Sequence, residues 1–148
     1  MHAVKSPPRP GDRRAVSGRL LRAMFKTYGL THIQLAVRDL ERSVRFYREL
    51  LGMTEIRRGK TSTMLRTPDS HEVFTLNAAP EVIDDAGRSA GVAHFGFRMR
   101  ERADMEDVLK TVEALGGKPL QHGQRGSELY AFFHDPDGYE AEMWWGPE

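Results

Sequence analysis

Two histidines occupy the same position in two copies of one short motif. The motif is GLTHIQLAVR over residues 29–38, and it returns as GVAHFGFRMR over residues 91–100, with His32 and His94 aligned. Each copy alternates in the way a half-buried strand does, with the histidine on the face opposite the apolar stripe. If a pseudo-twofold axis relates the two copies, the two imidazoles can converge on one point.

A third residue suited to the same chemistry lies near the C-terminus. Alternation through residues 139–145 places Glu142 and Trp144 on one face of a strand. An acid in an otherwise apolar strand is costly to bury unless it is paired or bound to a cation. His32, His94 and Glu142 are therefore a candidate 2-His-1-carboxylate metal site with open coordination positions. These donors favour Fe(II) and Mn(II), and they also bind Zn(II), Ni(II) or Co(II).

The composition predicts a soluble chain with a single domain. The 148 residues include 29% charged side chains, a net charge of +1 and no cysteine. No apolar run approaches the roughly 20 residues that span a bilayer, and the interspersed charges give no footprint for nucleic acid. The lack of cysteine excludes disulfides, thiolate zinc sites and a cysteine nucleophile. We expect a cytoplasmic protein.

Residues 1–27 differ from the remainder of the chain. Lys and Arg far outnumber acids in this segment, and it contains a cluster of prolines. Such a composition is typical of a disordered or loosely docked basic tail. We assign no chemistry to it.

Secondary-structure signals recur in the same order after each histidine motif. In the first module, Asp39 is suited to cap a helix over residues 40–51, and Gly52 is suited to end it. In the second module, the helix is predicted over residues 103–115. The predicted strands that follow the helices cover residues 53–57, 61–66 and 73–77 in the first module and 118–121, 129–134 and 139–145 in the second, with a turn at 123–126.

This order predicts an α+β fold made of two βαβββ modules. Module one covers residues 28–78, a linker covers 79–90, and module two covers 91–146. A module of this size has a marginal core by itself. We therefore expect the two modules to pair within one domain, residues 28–146.

Four motifs in this order resemble the vicinal oxygen chelate superfamily. They are the two histidine strands, the helix SVRFYRELLGM at residues 43–53 and the ending FHDPDGYEAE at residues 133–142. The superfamily includes glyoxalase I, extradiol dioxygenases, fosfomycin-modifying transferases and metal-free bleomycin-binding proteins. The resemblance covers residues 28–146, and it implies paired βαβββ modules that form a curved mixed sheet around a metal and substrate pocket.

The resemblance also implies a set of metal ligands. The first and last strands of each module carry them in this family, which transfers the role to His32, His94 and Glu142. The fourth position falls at about Thr75, or at His71 if the strand register differs. Glyoxalases carry Glu there, whereas extradiol dioxygenases and fosfomycin transferases use three ligands.

Other residues receive roles through the same resemblance. His122 and Tyr130 resemble the acid–base residues that dioxygenases carry ahead of the Asp-Pro turn, although the run AFFHD at residues 131–135 resembles the glyoxalase version of this strand. Gln34, Arg98 and Trp144 share the phase of the metal ligands, and we expect them to contact substrate.

The sequence thus predicts a divalent-metal-dependent enzyme, most like a small extradiol-type dioxygenase acting on a substrate with two adjacent oxygens. A glyoxalase I-like lyase or isomerase is one alternative, and a metal-free drug-binding protein is another. The expected partners are a small-molecule substrate and a second copy of the chain in a homodimer. Neither nucleic acid nor a membrane is expected as a partner.

Overall fold

The computed structural model describes residues 28–82 and 92–147. The predicted basic tail and most of the predicted linker lie outside the described residues. The described residues form two four-stranded mixed sheets with a few helices, one sheet from each module. This arrangement confirms the α+β class and the paired βαβββ modules.

The first module has the predicted order. Its elements are β1 (His32–Val37), α1 (Leu40–Leu51), β2 (Thr54–Arg58), β3 (Ser62–Arg66) and β4 (Val73–Ala78). Helix α1 begins where predicted because the Asp39 carboxylate accepts a hydrogen bond from the Arg42 N–H. It ends at Gly52, whose φ of 65° favours glycine. The strand order is β1-β4-β3-β2, with β4 parallel to β1.

The second module repeats this order after a short 3₁₀ helix (Pro80–Val82). Its elements are β5 (Phe95–Arg98), a 3₁₀ helix (Arg102–Glu106), α2 (Val108–Ala114), β6 (Lys118–Arg125), β7 (Glu128–His134) and β8 (Glu140–Trp145). The strand order is β5-β8-β7-β6, with β8 parallel to β5. The internal repeat therefore extends from the histidine motif to the whole module.

The second helix is shorter than the helix predicted over residues 103–115. The N–H of Asp107 donates to the carbonyl of Asp104, three residues earlier, at 3.4 Å. This is the 3₁₀ pattern, and the first α-helical bond runs from the Thr111 N–H to the Asp107 carbonyl at 2.9 Å. No helix in the described part of the chain has the length and apolar composition needed to cross a membrane.

Strand β6 is longer than predicted, and it contains a bulge. The turn predicted at residues 123–126 is mostly strand, because β6 continues to Arg125, which pairs with Glu128 across a tight hairpin. The register of β6 against β7 shifts by one residue between Pro119 and Gln121. The shift changes which side chains of β6 share a face with those of β7, and the extension adds residues 122–125 to the strand.

One hydrophobic core joins the two modules. Helix α1 contacts both sheets, since Phe46 lies 6.2 Å from Phe133 of β7 and Tyr47 lies 4.6 Å from Phe74 of β4, measured between ring centroids. Phe74 also contacts Phe97 of β5 at 5.9 Å. The faces that carry these rings are buried against each other and against the helices. We call the opposite faces of the two sheets the outer faces.

A buried aspartate also joins the modules. The Asp137 carboxylate, in the turn between β7 and β8, accepts hydrogen bonds from three donors of the first module. The donors are the Arg38 N–H at 2.9 Å, the Arg42 guanidinium at 2.8 Å and the Ser43 hydroxyl at 2.7 Å. These bonds compensate for burying the charge.

A second aspartate of the same turn binds the core of helix α1. The Tyr47 hydroxyl donates to the Asp135 carboxylate at 2.7 Å. Burial raises the pKa of the Asp135 carboxyl, and the hydrogen bond from Tyr47 opposes this rise. Burial also raises the pKa of Tyr47 well above its ordinary value, and the charge of Asp135 adds to the effect. The two aspartates therefore hold the modules in one relative orientation.

Candidate metal and substrate site

His94 and Glu142 lie together on the outer face of the second sheet. His94 immediately precedes β5, and Glu142 lies within the parallel neighbour β8. The His94 Nε2 is 3.6 Å from the Glu142 Oε2, and the two side chains are 40% and 17% exposed. The structure therefore brings together two of the three predicted ligands on an accessible face.

His32 has the corresponding position on the first sheet. It begins β1, and its Nε2 is 3.5 Å from the Thr75 Oγ1 in the parallel neighbour β4. Thr75 thus occupies the place in module one that Glu142 occupies in module two. Gln34 is paired with Thr75 in the register of β1 and β4, on the same outer face as His32.

The structure also separates the two candidates for a fourth ligand. His71 lies ahead of β4 and is exposed, with its ring stacked at 6.1 Å from the ring of Tyr28. Thr75, in contrast, lies beside the predicted ligand His32. Its hydroxyl has no charge to offset that of a cation, so it does not match the donor strength of Glu142.

The donors of the second sheet fit a divalent metal ion. Two atoms that each lie about 2.1 Å from one ion are at most about 4.2 Å apart, and the separation of His94 and Glu142 is shorter than this limit. An imidazole and a carboxylate are also ligands that first-row divalent ions accept. The pair can therefore supply two of the positions around one ion.

The three predicted ligands are not gathered within one chain. Among residues 28–82 and 92–147, no three His, Cys, Asp or Glu side chains are close enough to hold one ion together. His32 belongs to the first sheet, and the pair of His94 and Glu142 belongs to the second. Both histidines line an open groove of about 970 Å³ with residues from β1 and β5, which are edge strands. The convergence expected from a pseudo-twofold axis is not found inside a single chain.

Aromatic rings extend the outer face of the second sheet away from His94. Phe132 is paired with Glu142 in register, and its ring contacts His94 edge to face at 5.0 Å. Tyr130 follows on the same strand at 5.8 Å from Phe132, and it is paired with Trp144 on β8. Phe132 is buried yet lies outside the hydrophobic core. The rings of Phe132 and Tyr130 therefore form an edge-to-face series beside the candidate metal ligands.

Two arginines lie over the rings farthest from His94. The Arg98 guanidinium carbon is 5.2 Å from the Trp144 ring centroid, and the same group donates to the Gly146 carbonyl at 2.9 Å. The Arg125 guanidinium carbon is 4.5 Å from the Tyr130 ring centroid. Sequence patterns identify Arg98, Tyr130 and Trp144 but miss Arg125, because GQRG predicts a turn where β6 continues. No local signal marks Arg125 as a strand residue, because residues 121–125 (QHGQR) show no alternation of apolar and polar side chains.

His122 is not brought to this face. It is paired with Ala131, a residue of the hydrophobic core, so its side chain lies on the face opposite Glu142. The bulge between Pro119 and Gln121 is the reason, because one extra residue inverts the alternation that follows it. Gln121, instead of His122, shares the face of Glu142.

Tyr130 is on the predicted face, but its hydroxyl is directed away from the candidate metal ligands. A Cβ placed on Gly123 of β6 would come within 2.6 Å of this hydroxyl oxygen. Strand β6 lies on the side of β7 away from β8, the strand that carries Glu142. Tyr130 also lines the cavity beside Glu142, while its hydroxyl lies over Gly123 of β6.

A family model matches most of the chain. Residues 29–143 match the model described as Glyoxalase/Bleomycin resistance protein/Dioxygenase superfamily. The match includes both histidines and Glu142. It therefore includes each of the predicted metal ligands.

Curated relatives with different names match similar shares of the chain. It is 34% identical over 128 residues to a probable lactoylglutathione lyase, chloroplastic, from Arabidopsis thaliana. It is 31% identical over 115 residues to the glutathione transferase FosA of Serratia marcescens. It is 29% identical over 120 residues to a manganese-dependent 2,3-dihydroxybiphenyl 1,2-dioxygenase of Geobacillus genomosp. 3.

The lengths of these relatives differ. The matches cover 77%, 77% and 79% of this chain, and 35%, 78% and 36% of the lyase, the transferase and the dioxygenase. The chain therefore spans about a third of the lyase and of the dioxygenase, and about four fifths of the transferase.

Proposed function

The chain belongs to the glyoxalase/bleomycin resistance protein/dioxygenase superfamily, and from this premise we propose that it is a divalent-metal-dependent enzyme. Its substrate would be a small molecule that presents two adjacent oxygens. The observation that carries the proposal is the pair of His94 and Glu142, 3.6 Å apart on an accessible face beside aromatic rings. No structural role in the core requires this pair, because the outer face lies opposite the core.

The proposed third ligand is His32, supplied by a second copy of the chain. His32 repeats the position of His94, but the two half-sites lie on separate sheets and are not gathered within one chain. The edge strands β1 and β5 line the same open groove. We therefore propose a homodimer in which each site combines His32 of one protomer with His94 and Glu142 of the other.

The proposed ion is Fe(II) or Mn(II), because two imidazoles and one carboxylate with open positions suit these ions; Zn(II), Ni(II) and Co(II) also bind such donors. A manganese-dependent dioxygenase is among the relatives. When bound, a divalent ion supplies Lewis acidity to the substrate oxygens. The chain itself would orient the substrate through Gln34, Arg98 and Trp144 and exclude water with the ring of Phe132.

The first activity to test is extradiol-type cleavage of a catechol-like ring. Thr75 stands where a fourth ligand would be, and a three-ligand site is what the family resemblance implies for extradiol dioxygenases. We propose no proton transfer by His122, whose side chain lies on the opposite face. The hydroxyl of Tyr130 lies over β6, so we propose that this residue contacts substrate through its ring.

A transferase that opens a strained ring is the second candidate. The FosA relative matches over most of its own length, and fosfomycin transferases also use three ligands by the same resemblance. The guanidinium groups of Arg98 and Arg125 beside Glu142 suit an anionic substrate. A glyoxalase-type lyase is less well supported because Thr75 is not a carboxylate.

The metal content of anaerobically purified protein tests the proposal. We expect about one equivalent of iron or manganese per chain by mass spectrometry in the wild type. His94→Ala and Glu142→Ala should lose most of it, because each removes a ligand. His122→Ala is the matched control, and it should keep the metal because His122 lies on the opposite face.

Turnover then separates the candidate reactions. Oxygen consumption with catechols would support ring cleavage, whereas epoxide opening by a thiol would support the transferase. Isomerisation of a hemithioacetal would support the lyase. A chain that binds none of the five ions after reconstitution would refute the enzymatic proposal and favour a metal-free binding protein.

A further inference from the structure

A small cavity beside Glu142 is larger than a metal ion needs. Its volume is about 270 Å³, and it is open to solvent. It is lined by Arg125, Glu128, Leu129, Tyr130, Glu142 and Trp144. Only Glu142 of this set is a proposed metal ligand, so the other residues can contact a more distant part of a bound molecule.

The β6–β7 hairpin places Arg125 at the far end of this cavity. Its guanidinium carbon is 4.5 Å from the Tyr130 ring centroid. The ring can extend across β6 because residue 123 is glycine, since any Cβ there would come within 2.6 Å of the Tyr130 hydroxyl oxygen. Within the described residues, Arg125 forms no ion pair with a carboxylate. Its N–H donors can therefore bind a ligand.

The charges around the cavity favour an anion once Glu142 holds a cation. Arg98 and Arg125 lie over aromatic rings of the outer face, and Glu128 and Glu142 are the acids of the cavity. In the chain alone these charges balance. A divalent ion at Glu142 would leave a positive excess. The planar guanidinium fork is suited to bind a carboxylate through two parallel hydrogen bonds.

We propose that Arg125 determines specificity by binding the carboxylate of a planar aromatic diol. The two adjacent oxygens of this diol would bind the metal ion held by His94 and Glu142. The inference rests on the proposed function, because it takes the metal site as the position of those oxygens. The rings of Tyr130 and Trp144 line the same cavity as Arg125 and Glu142. Aromatic walls between a proposed metal ligand and a cation match a flat apolar ring with a charge at one end.

Calorimetric titration compares two ligands that differ in this charge. The ligands are 3,4-dihydroxybenzoate and neutral catechol, each titrated without oxygen into protein loaded with Zn(II), which is redox-inert. We expect the wild type to bind the benzoate about tenfold more tightly. Arg125→Gln should bring the two affinities to within about twofold of each other. Lys118→Gln, a loss of one cation at the other end of β6, should leave the preference intact.

The zinc content of each sample, measured before titration, distinguishes a failure of the role of Arg125 from a failure of the proposed metal site. Equal affinities in zinc-loaded wild type, or a preference that survives Arg125→Gln, would overturn this inference and leave the proposed metal site standing. A chain that takes up no zinc would contradict the metal site, and it would overturn this inference as well, because the excess positive charge depends on the bound ion. Arg125 is exposed, so thermal unfolding of the variant should match that of the wild type.

Discussion

A metal site shared between protomers can be rebuilt from two defective chains. His32→Ala removes one half-site, and Glu142→Ala removes the other. If each site takes its two halves from different chains, neither homodimer has an intact site. A heterodimer of the two variants, however, pairs the intact His32 of one chain with the intact His94 and Glu142 of the other. Co-expression with two different affinity tags yields this heterodimer.

The expected size of the effect comes from the arrangement of the half-sites. A twofold dimer has two equivalent sites. In the heterodimer one site carries both substitutions, and the other carries neither. The heterodimer should therefore hold about half of the wild-type metal, whereas both homodimers hold little. Metal per dimer is measured by mass spectrometry after purification through both tags.

A matched heterodimer provides the control. His94 and Glu142 are 3.6 Å apart on the same sheet of the same chain. A heterodimer of His94→Ala and Glu142→Ala therefore has a defect in each of its two sites and should stay empty. Recovery of metal in this control, or no recovery in the heterodimer of His32→Ala and Glu142→Ala, would refute the shared arrangement.

The contacts between the modules and the cavity provide further tests. Asp137→Ala leaves three donors of the first module without their buried acceptor, so we expect a loss of about 3 kcal/mol in urea denaturation. Asp107→Ala, which removes only an exposed ion pair, should change stability little. Because burial raises the pKa of Tyr47, the unfolded chain loses this proton first as pH rises above about 10. Tyr47 then contributes a fall in stability above about pH 10 of up to about 1.4 kcal/mol per pH unit. Tyr47→Phe should lose this contribution and keep the fall caused by Tyr139, whose pKa burial also raises; an equal alkaline slope in both proteins would contradict the reasoning. Gly123→Ala should displace the Tyr130 ring and weaken benzoate binding while the metal content stays unchanged.

Local signals in the sequence were sufficient to predict much of the fold. The bounds of helix α1 follow from Asp39 and Gly52, because a cap and a left-handed stop act within one helical turn. The repeat that contains His32 and His94 predicts two like modules, because alternation along a strand depends on neighbouring residues alone. The family resemblance also predicts the position of Thr75, which lies beside His32 as Glu142 lies beside His94.

Three features depended on contacts that the sequence does not display. The bulge between Pro119 and Gln121 inverts the faces of the rest of β6, and so His122 lies away from the site that its position in the sequence suggests. The hairpin that continues β6 places Arg125 over the Tyr130 ring. The two histidines lie on separate sheets, His32 beside Thr75 and His94 beside Glu142, and both sheets pack against helix α1. Residue types and local periodicity thus determined which side chains could bind a metal ion, whereas strand register and the packing of the modules decided which of them meet in one chain, because both depend on residues distant in sequence.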